Sequence, residues 1–181
     1  GAYAISNFGT QEQKELYLPK IVNGEITTAL AVDESSHHDP SKTSHTAEKK
    51  EDNYILNGKK TFVIDGASAD ILIVLTRTSG NSGELAGLTL FIIDSNADGI
   101  NKIKLDMADS RNYANINFDD VKCSNQDILG ALESGGETVE SILDIGRIAI
   151  SAEMLGNAES AFEATIEYLK QRKQFGVLIG T

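Results

Sequence analysis

Residues Tyr54 to Asp70 read YILNGKKTFVIDGASAD. If the second half of this stretch is a β-strand, side chains alternate and Lys60, Phe62 and Ile64 share one face. An aromatic ring beside a branched aliphatic side chain paves a flat apolar surface. That surface is either ordinary core or a wall for the planar ring of a cofactor, and these residues alone leave both readings open. Asp144 and Arg147 stand three apart in a helical stretch, where such residues meet as a surface pair. His37, His38 and His45 lie close to Asp33, Glu34 and Asp39, but consecutive histidines aim poorly at one ion. A polar loop without a metal is the expectation there. Cys123 is the single cysteine. It cannot form an internal disulfide, and it fits an inert thiol in a reducing, cytoplasmic setting.

A wall of this kind needs a sheet to carry it. Tyr54-Ile55-Leu56 is apolar and β-prone, and Asn57-Gly58 is a tight hairpin signal. The strand resumes at Thr61 to Ile64 before Asp65-Gly66 turns again. Ile26 to Val32, Ile71 to Thr76 and Leu88 to Ile93 are further short strands, separated by the turn clusters TSGNSGE and DSNADG. The runs ILIVL and LTLFII are apolar throughout, so both of their faces should be covered. Asn115 to Phe118 alternates and should keep one wet face.

Helices flank this region. Thr10 suits an N-cap with Gln13 at the capping-box position, and Pro19 is expected to halt that helix near Leu18. After Gly135-Gly136 the apolar residues fall at helical spacing from Glu137 to about Lys170, a helix of roughly 50 Å. The fold class read from this pattern is α+β: a mainly antiparallel β barrel or sandwich between a short N-terminal helix and one long C-terminal helix. The divisions fall at 1–24, the tail of a helical domain; 25–134, the β domain; and 135–181, the first helix of a helical bundle. The opening residue is not methionine and the last residues are GVLIGT, which reads as an excised middle piece of a larger protein.

At 181 residues the chain can hold one good-sized domain with an appendage. Its formal net charge is -11, which argues against nucleic acid or an anionic membrane as a general partner. No apolar run reaches the roughly 18 residues of a membrane span.

Four motifs stand in a definite order: GTQEQKELYLP (Gly9 to Pro19), YILNGKKTFVIDGASAD, NINFDDV (Asn115 to Val121) with Ile128-Leu129-Gly130 after it, and RKQFG (Arg172 to Gly176). Together they resemble the flavin-dependent acyl-CoA dehydrogenases over essentially the whole chain. The resemblance implies FAD as cofactor and oxidation of an acyl-CoA to the 2,3-enoyl-CoA, with a glutamate base taking the α-proton and flavin N5 taking hydride. It implies an electron-transfer flavoprotein or similar acceptor and a homo-oligomer. The cofactor contacts it implies are Val32, Asp33, Phe62, Val63, Ile64, Arg172, Gln174 and Phe175, with Arg172 reaching the FAD pyrophosphate of a neighbouring subunit. Asp39, Asp144 and Arg147 are the implied substrate contacts.

The sequence departs from that family in places. Residues 33–40, DESSHHDP, occupy a loop where only Glu34 matches. Ser36 and His38 replace two family glycines, which removes backbone freedom. Ile64 replaces a threonine and has no hydroxyl to offer near N5. Ile145 stands where some relatives carry the base, so no catalytic residue is assigned. The expectation is therefore an inactive fragment holding the flavin-binding domain of such an enzyme. The alternative is a non-catalytic relative that keeps the scaffold for assembly or acyl-CoA binding.

Overall fold

The computed structural model describes residues 1–180. The chain divides into two compact units, Gly1–Ile142 and a second beginning at Leu143. The first unit opens with helices α1 (Ala2–Phe8) and α2 (Gln11–Val22). Thr10 caps α2 by the expected reciprocal box with Gln13. Pro19 does not end this helix, which runs on to Val22. Its carbonyl accepts the closing bond from the Asn23 N–H at 3.0 Å, so the last turn forms without a proline donor. Buried Gln13 donates from Nε2 to the carbonyls of Gln126 and Ile128 and so ties α2 to the sheet.

Eight strands follow: β1 (Thr28–Ala31), β2 (Thr46–Lys50), β3 (Asn53–Val63), β4 (Ile71–Arg77), β5 (Leu88–Asp94), β6 (Ile100–Lys104), β7 (Ala114–Ser124) and β8 (Ile128–Leu129). They pair in the order β6-β7-β3-β2-β4-β5-β8, with β1 alongside β4. Most pairs are antiparallel; β1 and the end of β2 run parallel to β4. The α+β architecture is as expected, but no closed barrel forms, and β6 and β8 are the ends of the order. β2 and β6 carry little apolar signal (TAEKK and INKIK), which is why sequence reading passed over them.

Seven of β4's neighbours across the ladder come from β5, and both strands are buried on both faces. Leu72, Val74, Phe91, Leu56, Ile116 and Val121 form part of one apolar core. Ile73, Leu75 and Leu90 are fully buried on the alternate positions. Each such side chain contributes about 1.5–3 kcal/mol on leaving water. Arg77, at the end of β4, is 8% exposed. Its guanidinium donates to the carbonyls of Ser41, Thr43, Ser79, Glu84 and Ala86, gathering the segments on either side of the sheet end.

The long helix α3 runs from Gly135 to Gln171, as its spacing predicts. In the second unit its large apolar side chains, among them Ile148, Met154, Leu155 and Phe162, are exposed. A two-stranded hairpin follows, β9 (Lys173–Gln174) and β10 (Val177–Leu178). None of the helices among the described residues is long and apolar enough to cross a membrane.

Candidate functional site

The Asn57-Gly58 pair is not a hairpin turn. β3 continues through it, and two bulges shape the β3–β7 ladder instead. The pairs Leu56↔Val121 and Gly58↔Phe118 leave Asn57 facing two residues of β7, Asp119 and Asp120. The pairs Lys60↔Ile116 and Val63↔Ala114 leave Asn115 facing two residues of β3, Thr61 and Phe62. In each bulge one residue takes positive φ: Asp120 at 52° and Phe62 at 54°. Each of these displaced residues gives its N–H to the side chain of the lone asparagine opposite. Asp120 donates to Asn57 Oδ1 at 2.9 Å, and Phe62 donates to Asn115 Oδ1 at 3.0 Å. An asparagine clasp thus replaces a lost ladder bond twice.

The second bulge breaks the alternation that put Lys60, Phe62 and Ile64 on one face. Lys60 points inward and is fully buried, Val63 is buried in the core, and Phe62 stands 48% exposed. Ile64 lies just beyond β3 and is also exposed. Positive φ costs a bulky residue on the order of 1–3 kcal/mol, a cost retained here at an aromatic ring that stays half in water. One side of that ring leans on Tyr113, with centroids 4.6 Å apart and planes 36° apart.

Phe62 lines a cleft of about 710 Å³ within the first unit. Asp33 to Ser36 and His38 of the preceding loop line it too, together with Thr61 and Asn115. Direct bonds fix the distance between this loop and β3. The Thr61 N–H donates to the Asp33 carbonyl at 2.7 Å, and Thr61 Oγ1 donates to the Ser35 carbonyl at 3.3 Å. Beneath them Lys60 Nζ donates to the Val32 carbonyl and to Glu34 Oε1, both at 2.8 Å.

Glu34 anchors a small, partly buried network. Its carboxylate also accepts from the Ser44 N–H and Oγ and from the His45 N–H. Burial raises its pKa, but Lys60 and these donors outweigh that and hold it below the usual carboxylate range. Burial pulls the Lys60 ammonium down to about 8, with Glu34 opposing the shift. His45 is 1% exposed, and neither ring nitrogen has a partner among the described residues. Its ring packs on Phe118, centroids 4.6 Å apart. Burial first, and then the Lys60 charge, push it down to about 3, so it is neutral. Gly58 explains how the ring fits. With φ of 147°, it approaches so closely that a Cβ there would stand 2.9 Å from His45 Cα.

The first-unit residues named from sequence therefore converge only in part. Asp33 and Phe62 line the cleft; the Val32 carbonyl accepts the buried bond from Lys60 behind it, and the Val63 side chain belongs to the core. Asp39 accepts from the Ser41 N–H and Oγ and so caps a short turn at Pro40–Lys42. Ser36 and His38 are absent from the residues with positive φ, so the glycine replacements put no strain on this loop. His38 instead places Nδ1 at 2.8 and 3.0 Å from the two Asp33 oxygens. Sequence reading missed Lys60 and Asn115 as the residues that hold the cleft together. Burial also pushes the Cys123 thiol up to about 12, which makes it inert at neutral pH.

In the second unit, Arg147 Nη1 donates to Asp144 Oδ1 at 2.6 Å, so the two substrate candidates pair with each other on an exposed helix face. The Arg172 guanidinium carbon lies 5.9 Å from the centroid of the Tyr168 ring. Gln174 closes β9, and Phe175 with Gly176 forms the tip of the hairpin. Both tip residues have positive φ, at 50° and 85°, which suits a two-residue turn. Phe175 is fully exposed there.

Residues 29–121 match the family described as "Acyl-CoA dehydrogenase, middle domain", and residues 133–181 match "Acyl-CoA dehydrogenase, C-terminal domain". The chain belongs to the acyl-CoA dehydrogenase family. It is 38% identical over 172 residues to a 3-(aryl)acrylate reductase of Clostridium sporogenes, covering 92% of this chain and 45% of that one. Butyryl-CoA dehydrogenase from Megasphaera elsdenii has the same fold, with a TM-score of 0.88, 36% identity, and coverage of 98% and 48%. The structure described as PigA with FAD and proline matches with a TM-score of 0.90, 30% identity, and coverage of 99% and 48%. The chain spans about half the length of the relatives it matches.

Proposed function

We propose that this chain is the flavin-binding portion of an FAD-dependent acyl-CoA dehydrogenase that oxidises acyl-CoA to 2,3-enoyl-CoA. The observation that carries the reading is the strained Phe62 ring, held half-exposed on the wall of a cleft within the first unit. A ring buried in the core would need no such backbone. The donor set fits a flavin: an apolar aromatic face, hydroxyls, an asparagine and a backbone loop line one cleft.

Phe62, Ile64 and the backbone of Val32, Asp33 and Val63 would hold the ring system. Arg172, Gln174 and Phe175 would serve the diphosphate end of a cofactor in a neighbouring subunit of a homo-oligomer. Asp39, Asp144 and Arg147 would face the acyl-CoA. A bound flavin supplies the hydride acceptor; the chain's own residues position it and exclude water. Residues 1–24 then form the tail of a helical domain, 25–134 the flavin domain, and 135–181 the start of a helical bundle. The acceptor would be an electron-transfer flavoprotein or a protein of that kind.

The test is purification of the whole protein with its visible spectrum, followed by a panel of acyl-CoA substrates with a dye acceptor. Flavin absorbance that Phe62→Ala weakens supports the reading. A colourless protein that stays colourless after FAD is added overturns it and favours a scaffold role. That second role has one observation behind it: Ile64 has no hydroxyl to place beside the ring.

A further inference from the structure

Two carboxylate residues line the cleft, and both already have partners within the chain. Glu34 is spent on Lys60, Ser44 and His45. Asp33 accepts from His38 Nδ1 through both oxygens. The remaining charged or ionisable residues of the cleft are basic: Lys59 and His38 both line it. A carboxylate that accepts from Nδ1 fixes the ring plane, and the far nitrogen Nε2 donates when the ring carries both protons. An imidazolium held in this way is a directed hydrogen-bond donor, where a free surface histidine would rotate.

We propose that His38, oriented by Asp33, donates from Nε2 to an acceptor oxygen of the bound cofactor. This rests on the flavin reading above and deepens it. The shared chemistry is a hydrogen-bond acceptor oxygen, which the cofactor can offer from its phosphate or from a carbonyl of its ring. Asp33 then acts as a positioning residue: its side chain serves the cofactor through the imidazole.

The experiment measures binding of FAD, FMN and riboflavin to the whole protein and to its His38→Ala and Asp33→Asn variants. Nitrogen-15 spectra of the histidine rings are recorded alongside. The wild type should show His38 protonated at Nδ1, and Asp33→Asn should change that signal. Loss of a charge-assisted hydrogen bond should weaken FAD binding by about tenfold or more in His38→Ala. Riboflavin left unaffected assigns the contact to phosphate, and equal weakening of all three ligands assigns it to the ring. Unchanged affinities for all three overturn the proposal while the flavin reading stands. A wild type that takes up no flavin, with the histidine signal as expected, overturns both and leaves only the Asp33–His38 pair.

Discussion

His45 should make this fold sensitive to mild acid. The folded value of about 3 lies far below the ordinary 6.5. A group whose folded pKa is depressed in this way is neutral in both states above pH 6.5 and contributes nothing to the slope there. Below 6.5 the unfolded chain binds a proton that the folded chain refuses, so stability falls as pH falls, down to the folded value. The slope is about 1.4 kcal/mol per pH unit, so lowering the pH from 7.5 to 5.0 should remove about 2 kcal/mol. That window stays above the ordinary carboxylate range, and Glu34 is held lower still, so it does not contribute. Two other charges face the ring, Lys60 and Glu34; with Lys60 at about 8, its ammonium stays mostly protonated over this window. The assay is urea denaturation at several pH values, with His37 and His38 replaced in a background variant to remove their titrations. His45→Leu in that background should flatten the profile between pH 7.5 and 5.0. The same slope in both proteins would show that the imidazole finds a partner or water on protonation, and the argument from its two unpartnered nitrogens would fail.

Two further outcomes follow from the buried cations. Lys60→Met should cost about 1–3 kcal/mol, because it removes the cation beside the partly buried carboxylate of Glu34, and Lys60→Met with Glu34→Gln should recover much of that; equal costs for the single and double variants in urea denaturation would refute the pairing. Arg77→Lys keeps the charge but loses a fork that reaches five carbonyls, so it should lower stability by at least about 3 kcal/mol and speed proteolysis within residues 78–87.

Much of the scaffold was legible before any coordinates. The apolar runs at 71–75 and 88–93 had to be covered on both faces, and they are. The helical spacing after Gly136 predicts α3 nearly to its last residue. The polar strands β2 and β6 carry no such signal, since they are defined by what they pair with. The β9–β10 hairpin was hidden for a related reason. Its turn is Phe175-Gly176, and an aromatic residue at positive φ is a poor turn signal from sequence alone.

The site was misread where one local rule met a tertiary constraint. Asn57-Gly58 is a strong turn signal because both residues tolerate positive φ and the asparagine side chain bonds nearby backbone. Both properties are used here, but for other ends. Gly58 makes room for His45, and Asn57 clasps the bulge at Asp120 across the ladder. Asn115 repeats the device on the opposite strand, and there the clasped residue is Phe62. The face assignment failed at the same point. Strict alternation puts Lys60 and Phe62 together, but one extra residue in β3 sends the lysine inward to Glu34 and the ring outward to the cleft. The bulge thus does two jobs with a single register shift. It buries the cation that joins the cleft walls, and it exposes the aromatic surface between them. Asn115→Ala therefore removes one hydrogen bond but undermines both functions. Its effect on flavin affinity should exceed its effect on stability, since the freed Phe62 N–H can turn to water while the ring loses its fixed plane.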